Sequence, residues 1–298
     1  MEEILAYFPS KIKNELIRFN LESLEEIRIR NHSPIFLKIG QEEVKTDCIA
    51  DTENILEILQ KLCDNSIYTY QNQICNGYIT IKGGHRIGLT GNVVIKDGQV
   101  MNISHIYSLN FRVARQIIGC SKSALRYIID TRKNSIYNTI LVSPPGRGKT
   151  TILRDLIRNL SNGIPDYHFH GVNIGVVDER GEIAAMYKGV PQNDIGQRTD
   201  VLDNISKDLG MKMLVRSMSP KIIVADEIGT NQDIEAIEYA VCSGVKGIFT
   251  AHGSGIEDVI KNPILSKLYQ QDIIERILTI GENRQISLQY ERQERRAG

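Results

Sequence analysis

The sequence predicts an α/β protein: a phosphate-binding domain with a mostly parallel sheet, preceded by a smaller α+β domain. Three observations carry this reading. A short apolar strand runs into a Gly/Pro-rich loop and then Gly148-Lys149-Thr150 at the head of a helix. From about Ile118 onward, apolar strand segments alternate with helical ones, as in a parallel sheet covered on both faces. Before that point, short alternating strands are separated by turn signals, as in an antiparallel sheet. The expected division is residues 1–117 and 118–298, and 298 residues leave room for two domains of ordinary size.

In the first domain, residues 10–20 place Ile12, Leu16 and Ile17 on one helical face. Glu26-Ile-Arg-Ile-Arg30 alternates with period two, as a half-buried strand does. Ile35–Ile39 makes a second strand ended by Gly40, and residues 52–63 make a helix carrying Ile55, Leu56, Ile58, Leu59 and Leu62. Strands over Gly77–Ile81 and Ile87–Ile95 flank Lys82-Gly-Gly-His-Arg86, with a further turn at Asp97-Gly98 and a last extended segment over Ser108–Val113. In the second domain four strands are expected: Tyr137–Val142, Val172–Val177, Lys221–Ala225 and Val245–Ala251. Each ends in polar or charged groups, and ligands of open α/β sheets sit at the carboxyl ends of the strands. The charged tail Glu291–Gly298 is expected to fray.

The loop Ser143-Pro144-Pro145-Gly146-Arg147-Gly148-Lys149-Thr150-Thr151 is the expected nucleotide site. Its inward-pointing N–H groups and the helix N-terminus would surround phosphate oxygens. Lys149 would reach the β- and γ-phosphates, and the Thr150 hydroxyl would bind Mg²⁺. Ile152, Leu153, Leu156, Ile157 and Leu160 fall on one stripe of the following helix, which Asn162-Gly163 stops. One departure stands out: Ser143 occupies the first loop position, where the pattern has glycine, and serine enters the left-handed conformation less readily.

Composition narrows the class. The hydrophobic share of 41% and charged share of 24% are those of a globular protein. Lys+Arg and Asp+Glu both total 36, so no overall charge draws the chain to nucleic acid or acidic lipid. Five scattered cysteines without a Cys-x-x-Cys pair suggest reduced thiols rather than a disulfide frame or zinc site. The acidic start carries no signal-like apolar segment, and no apolar run approaches the ~18–20 residues of a membrane span, so direct membrane insertion is not expected.

Three further motifs carry chemistry. Ile222-Ile-Val-Ala-Asp226-Glu227 reads as a buried strand delivering adjacent carboxylates, Asp226 for the metal and Glu227 as catalytic base. Val176-Val-Asp178-Glu179-Arg180-Gly181-Glu182 ends a second strand in acids. Its plain reading is a salt-bridged turn with Arg180 offsetting its neighbours; its functional one puts Glu179, with Glu182 as a second candidate, near the water or metal of the neighbouring strand. His252, ending Gly247–Gly253, is a structural hydrogen-bond partner or a γ-phosphate sensor. An arginine stabilising charge on the γ-phosphate could be Arg216, Arg86, Arg112, Arg115 or Arg198.

The ordered set Gly146–Thr150, Asp178–Glu182, Asp226-Glu227 and Thr250-Ala-His252-Gly253 resembles the Walker A, Asp-box, Walker B and His-box motifs of the secretion ATPases. These are hexameric RecA-like motors of type II and type IV secretion and type IV pili. Glu26–Arg30 with Pro34 and Gly40 is similar to their N-terminal domain. More narrowly, Val176–Glu182, Arg198–Leu202, Arg216–Pro220 and Ala225–Gly229 resemble the sporulation branch of the group, found in endospore-forming bacteria. The resemblance implies a RecA-like P-loop domain with ATP and Mg²⁺ among the four boxes, and favours Arg86 and Arg112 as the γ-phosphate arginines. It also implies a cytoplasmic homo-oligomer, a hexameric ring, docked on an inner-membrane protein of the channel between mother cell and forespore. The sequence departs from the wider group at Asp226, where Gly-Glu usually stands for Asp226-Glu227. Two other readings compete: a nucleotide-dependent scaffold that does not hydrolyse, and a DNA-translocating RecA-like ATPase. The chain's lack of tryptophan and zero formal net charge weigh against the latter, and no nucleic-acid partner is expected.

Overall fold

The computed structural model describes residues 2–292; the tail expected to fray lies, from residue 293, outside the described residues. The chain divides into two compact units. The first runs to Arg115 and also takes in Met186–Gln192; the second comprises Gln116–Ala185 and the chain from Asn193 onward.

In the first unit, strands β1 (Leu24–Arg30), β2 (Ser33–Ile39), β3 (Glu42–Ala50), β4 (Tyr78–Thr80), β5 (Arg86–Lys96) and β6 (Gln99–Arg112) build one antiparallel sheet. Their order is β3-β2-β1-β6-β5-β4. The period-two pattern of β1 buries Ile27 and Ile29 completely and leaves Arg28 and Arg30 exposed. Helices α1 (Ser10–Leu16) and α2 (Thr52–Leu62) supply Ile12, Leu16, Ile55 and Ile58 to the core that holds Ile27, Ile29 and Phe111. Each such buried side chain contributes about 1.5–3 kcal/mol. Helix α2 starts at a capping box, in which the Asp51 carboxylate accepts from Asn54 N and the Asn54 side chain accepts from Asp51 N. Asp97 and Gly98, both with positive φ, close the two-residue hairpin between Lys96 and Gln99. Strand β3 and the first half of β6 were not anticipated. The first half of β6 is largely exposed, and β3 alternates only from Thr46, where its buried residues are Thr46, Cys48 and Ala50, so no large apolar side chain marks its inner face.

The second unit has a seven-stranded sheet: β7 (Thr139–Ser143), β8 (Ile174–Asp178), β9 (Thr199–Asp203), β10 (Ile222–Ala225), β11 (Lys246–His252), β12 (Arg276–Ile280) and β13 (Ile286–Glu291). The order is β9-β8-β10-β11-β7-β12-β13, parallel except for the edge strand β13. The helices are α3 (Lys149–Asn162), α4 (Lys207–Ser217) and α5 (Asn231–Cys242), with shorter ones beyond. Ile140, Val142, Ile223 and Phe249 share a core with Met211 and Leu214 of α4 and Ile234 and Ile237 of α5. The alternate residues Leu141, Val176, Val224 and Ile248 are also fully buried and face the other side of the sheet, where α3 lies. Burial on both faces is why these strands read as continuous apolar runs. This is the expected α/β class with its mostly parallel sheet. The sheet also contains β9, β12 and β13, which were not anticipated. Strand β9 is half-exposed, β12 ends in no functional group, and β13 is its exposed antiparallel partner.

Candidate functional site

Strand β7 is buried throughout and delivers the phosphate-type loop at its carboxyl end. Ser143 ends that strand, paired in register with His252 of β11, and is not among the residues with positive φ. The expected strain of serine at this position is therefore absent, because the position is extended rather than left-handed. The left-handed positions are Gly146 (φ +74°) and Gly148 (φ +89°), where a Cβ would meet nothing within 4 Å. Glycine is needed there for the backbone turn, not for space. Gly148 caps α3 and brings no side chain to that end, an arrangement that suits an anion at the first-turn N–H groups.

Lys149 is buried, and its ammonium donates to Ser143 O at 2.7 Å and Pro144 O at 3.1 Å. It also lies 3.3 Å from His252 Nδ1. Burial holds its pKa below the usual lysine range, opposed by the charges of Asp226 and Glu227. Of the neighbouring loop residues, Arg147 turns outward to Glu282 at 3.1 Å, and the Thr151 carbonyl accepts from Cys120 Sγ at 3.5 Å. Pro144 and Pro145 lie between the strand end and Gly146.

The Thr150 hydroxyl donates to Asp226 Oδ2 at 2.5 Å. The Thr250 hydroxyl of β11 donates to Asp226 Oδ1 and accepts from the Glu227 N–H at 2.8 Å. Glu227 sits in the left-handed region at φ +52°, a conformation that costs a non-glycine residue about 1–2 kcal/mol. Its side chain is held from two sides, with Oε2 paired to Arg180 and Oε1 3.3 Å from His252 Nε2. The structure thus joins Lys149, Thr150, Asp226, Glu227 and His252 in one cluster at the carboxyl ends of three adjacent strands, β10, β11 and β7.

The acidic motif after β8 splits into different tasks. Asp178 is buried and accepts backbone N–H groups from Glu182, Ile183, Ala184 and Ala185. Burial pushes its carboxyl up against the pull of those four bonds. Arg154 of α3 donates to the carbonyls of Ile183 (3.0 Å) and Glu182 (2.9 Å), which ties the same loop to the P-loop helix. Glu179 pairs with Lys207 at 2.5 Å. It shares the cleft of Asp226, Glu227 and Arg180 without touching either acid through a recorded bond.

Of the candidate arginines in the second unit, Arg216 and Arg198 do not join this cluster. Arg216 is exposed at the end of α4, where its guanidinium faces Tyr239 of α5 and Nε lies 3.3 Å from the Tyr239 hydroxyl. That end of α4 leads into the start of β10, the opposite end from Asp226. Arg198 donates to Ser161 O at 3.1 Å, just before β9 begins. Arg86 and Arg112 belong to the first unit, where they are register partners on β5 and β6, and Arg86 stacks 3.6 Å from the Tyr78 ring centroid. Arg115, also there, donates to Leu24 O at 3.1 Å.

Sequence reasoning passed over Arg180, Thr250 and Lys207 as site residues. Arg180 carried a weak signal, since it stands inside an acidic motif, but its partner Glu227 is remote in sequence. Thr250 lay inside the His-box string, and nothing in a lone strand threonine shows which acid it will meet.

A family model for sporulation stage III, protein AA matches residues 1–296. The chain is 39% identical over 284 residues to stage III sporulation protein AA of Bacillus subtilis (strain 168), covering 94% of this chain and 91% of that one. Among solved structures it is similar to the ATPase DotB of Legionella pneumophila (TM-score 0.58, 13% identity, 94% of this chain and 81% of that one). It is equally similar to the pilus retraction motor PilT with bound ADP (TM-score 0.58, 15% identity, 94% and 83%). At those identities the likeness speaks for the fold, that of the P-loop secretion ATPases. The chain belongs to the sporulation stage III protein AA family.

Proposed function

We propose that this chain is an ATP-hydrolysing, oligomeric motor of the secretion type that powers or assembles the channel between mother cell and forespore. The observation that carries the reading is the cluster itself: a phosphate-type loop whose lysine, threonine and facing acids meet across adjacent strand ends. The residues suit the nucleotide and its metal. The Thr150 hydroxyl and the Asp226 carboxylate, 2.5 Å apart, offer hard oxygens side by side. Mg²⁺ takes few protein oxygens and leaves its other positions to phosphates and water. Loop N–H groups and Lys149 would hold the phosphates of ATP, and bound Mg²⁺ would offset their charge.

The remaining roles fall to this chain's own groups. Glu227 accepts the proton of the attacking water. His252, between Glu227 and Lys149, senses the γ-phosphate end. Asp226 replaces the glycine usual in the wider secretion group and brings a carboxylate against Thr150, so metal and base duties fall to adjacent residues. Arg86 and Arg112 would stabilise the γ-phosphate charge, with Arg216 offered to a neighbouring subunit. The proposed assembly is a cytoplasmic ring, hexameric by analogy with the secretion motors, docked on an inner-membrane channel protein.

ATP turnover and binding of a fluorescent ATP analogue test this in Lys149→Ala and Glu227→Gln. Lys149→Ala is expected to lose both. Glu227→Gln is expected to bind while turnover falls by about 10²-fold or more. Undiminished turnover in Lys149→Ala overturns the assignment of the loop. Saturable binding by the unmodified chain without turnover at any concentration favours the scaffold reading instead.

A further inference from the structure

We infer that Arg180 is a positioning residue for the proposed hydrolysis, holding the Glu227 carboxylate in its working orientation; this rests on Glu227 being the base. Glu227 cannot orient itself. Its backbone is left-handed, and β10 has already ended at Ala225. Among the described residues its side chain meets Arg180 on Oε2 and His252 on Oε1. His252 is shared, because its other nitrogen lies 3.3 Å from Lys149 Nζ, so its bond to Glu227 changes whenever that lysine moves. Arg180 is the partner whose footing is independent of the phosphate loop's lysine.

The backbone just after Arg180 is tied down. The segment carrying Arg180 is wound around the buried Asp178 carboxylate by four backbone N–H bonds and clamped by the Arg154 guanidinium at two carbonyls. Both Asp178 oxygens are thus taken up by the loop's own backbone. That carboxylate fixes the loop from which Arg180 reaches the adjacent strand end. A carboxylate oxygen engaged by one guanidinium N–H keeps a second lone pair, so Arg180 can hold Glu227 without blocking proton transfer from water.

The test compares Arg180→Ala and Arg180→Lys with the unmodified full-length chain, at a protein concentration where the rate per subunit has levelled. Arg180→Ala is expected to lower kcat by about 10–100-fold with KM for ATP changed less than about twofold. Arg180→Lys is expected to recover part of the loss, and added guanidinium at non-denaturing concentration to recover part of it in Arg180→Ala, but none in Glu227→Gln. A loss seen as weakened ATP binding, a loss that neither lysine nor guanidinium repairs, or unchanged turnover in Arg180→Ala overturns the inference. If Glu227→Gln is inactive while Arg180→Ala is unimpaired, this inference alone fails. If Glu227→Gln turns over normally, the assignment of the base fails with it.

Discussion

The Thr250 hydroxyl is used twice, donating to Asp226 and accepting from the Glu227 N–H, with no part of the residue exposed. Replacing it by valine keeps the shape and removes both bonds, leaving the Glu227 N–H and Asp226 Oδ1 their 3.1 Å bond to each other. Losing two such bonds, one of them to a carboxylate, costs about 1–3 kcal/mol. Thr250→Val is therefore expected to lower stability by that amount and to lower turnover by about tenfold or more, since Glu227 loses a backbone anchor; Thr250→Ser should restore most of both. Thermal unfolding and kcat at saturating ATP check it, and a valine variant with unchanged kcat removes Thr250 from the site. At this scale the sequence was only partly legible. Lys149 and Thr150 are recognisable because a phosphate loop needs those side chains at that spacing. The pairings of Arg180 and Thr250 were not recognisable, because a side chain's partner depends on which strands are neighbours.

At the scale of elements, α3 must hold its N-terminus still for the loop to bind anything. It is tied down from behind: Asp155 accepts from the Ser121 hydroxyl at 2.7 Å, from Ser121 N at 2.9 Å, from Gly119 N at 3.1 Å and from Arg158 at 2.8 Å. Burial pushes the Asp155 carboxyl up, but the Ser121 hydroxyl and backbone bonds, with Arg158 and Gly119, outweigh it and hold the pKa below the ordinary 3.8. A depressed carboxyl stabilises the fold above its unfolded value, and that contribution disappears as pH falls through the lower folded value. Asp155→Asn is thus expected to be less stable than the unmodified chain by about 1–3 kcal/mol near neutrality. The gap should narrow once pH drops below 3.8, with denaturant midpoints measured across pH as the check. A gap independent of pH removes the ionised carboxylate from the explanation. The helix itself was legible, since its apolar stripe and the Asn162-Gly163 stop lie where α3 runs and ends. Its anchor was not, because nothing local marks Asp155 as buried.

At the scale of the whole molecule, Arg198 and Arg216 are the candidate arginines of the second unit and neither joins its cluster, and a ring in which a neighbour completes each site follows from the proposed function. The rate of ATP hydrolysis per subunit is expected to rise with protein concentration before levelling, and to vanish when Mg²⁺ is chelated. A rate per subunit independent of concentration down to where light scattering shows monomers argues that one chain is sufficient. Among the described residues no helix is long and apolar enough to cross a membrane. The proposed membrane association is accordingly through a partner, to be read as co-sedimentation with membranes that depends on the channel protein.

Local chemistry was enough to identify the α/β class, the glycine-rich loop and its helix, the acidic strand end at Asp226-Glu227 and the histidine that ends β11. Each of these depends on residues close in sequence: glycines where φ must be positive, apolar runs where both faces are buried, a stripe where one face is. The tertiary structure alone decided that β8, β10, β11 and β7 lie side by side in that order, which brings four separated motifs to one edge of the sheet. It also decided that Asp178 is a buried loop anchor while Glu227 pairs with Arg180 and His252, though both are acids at the end of an apolar strand. The reason is physical: strand order and burial come from packing the whole sheet against its helices, and no short stretch of sequence contains that packing.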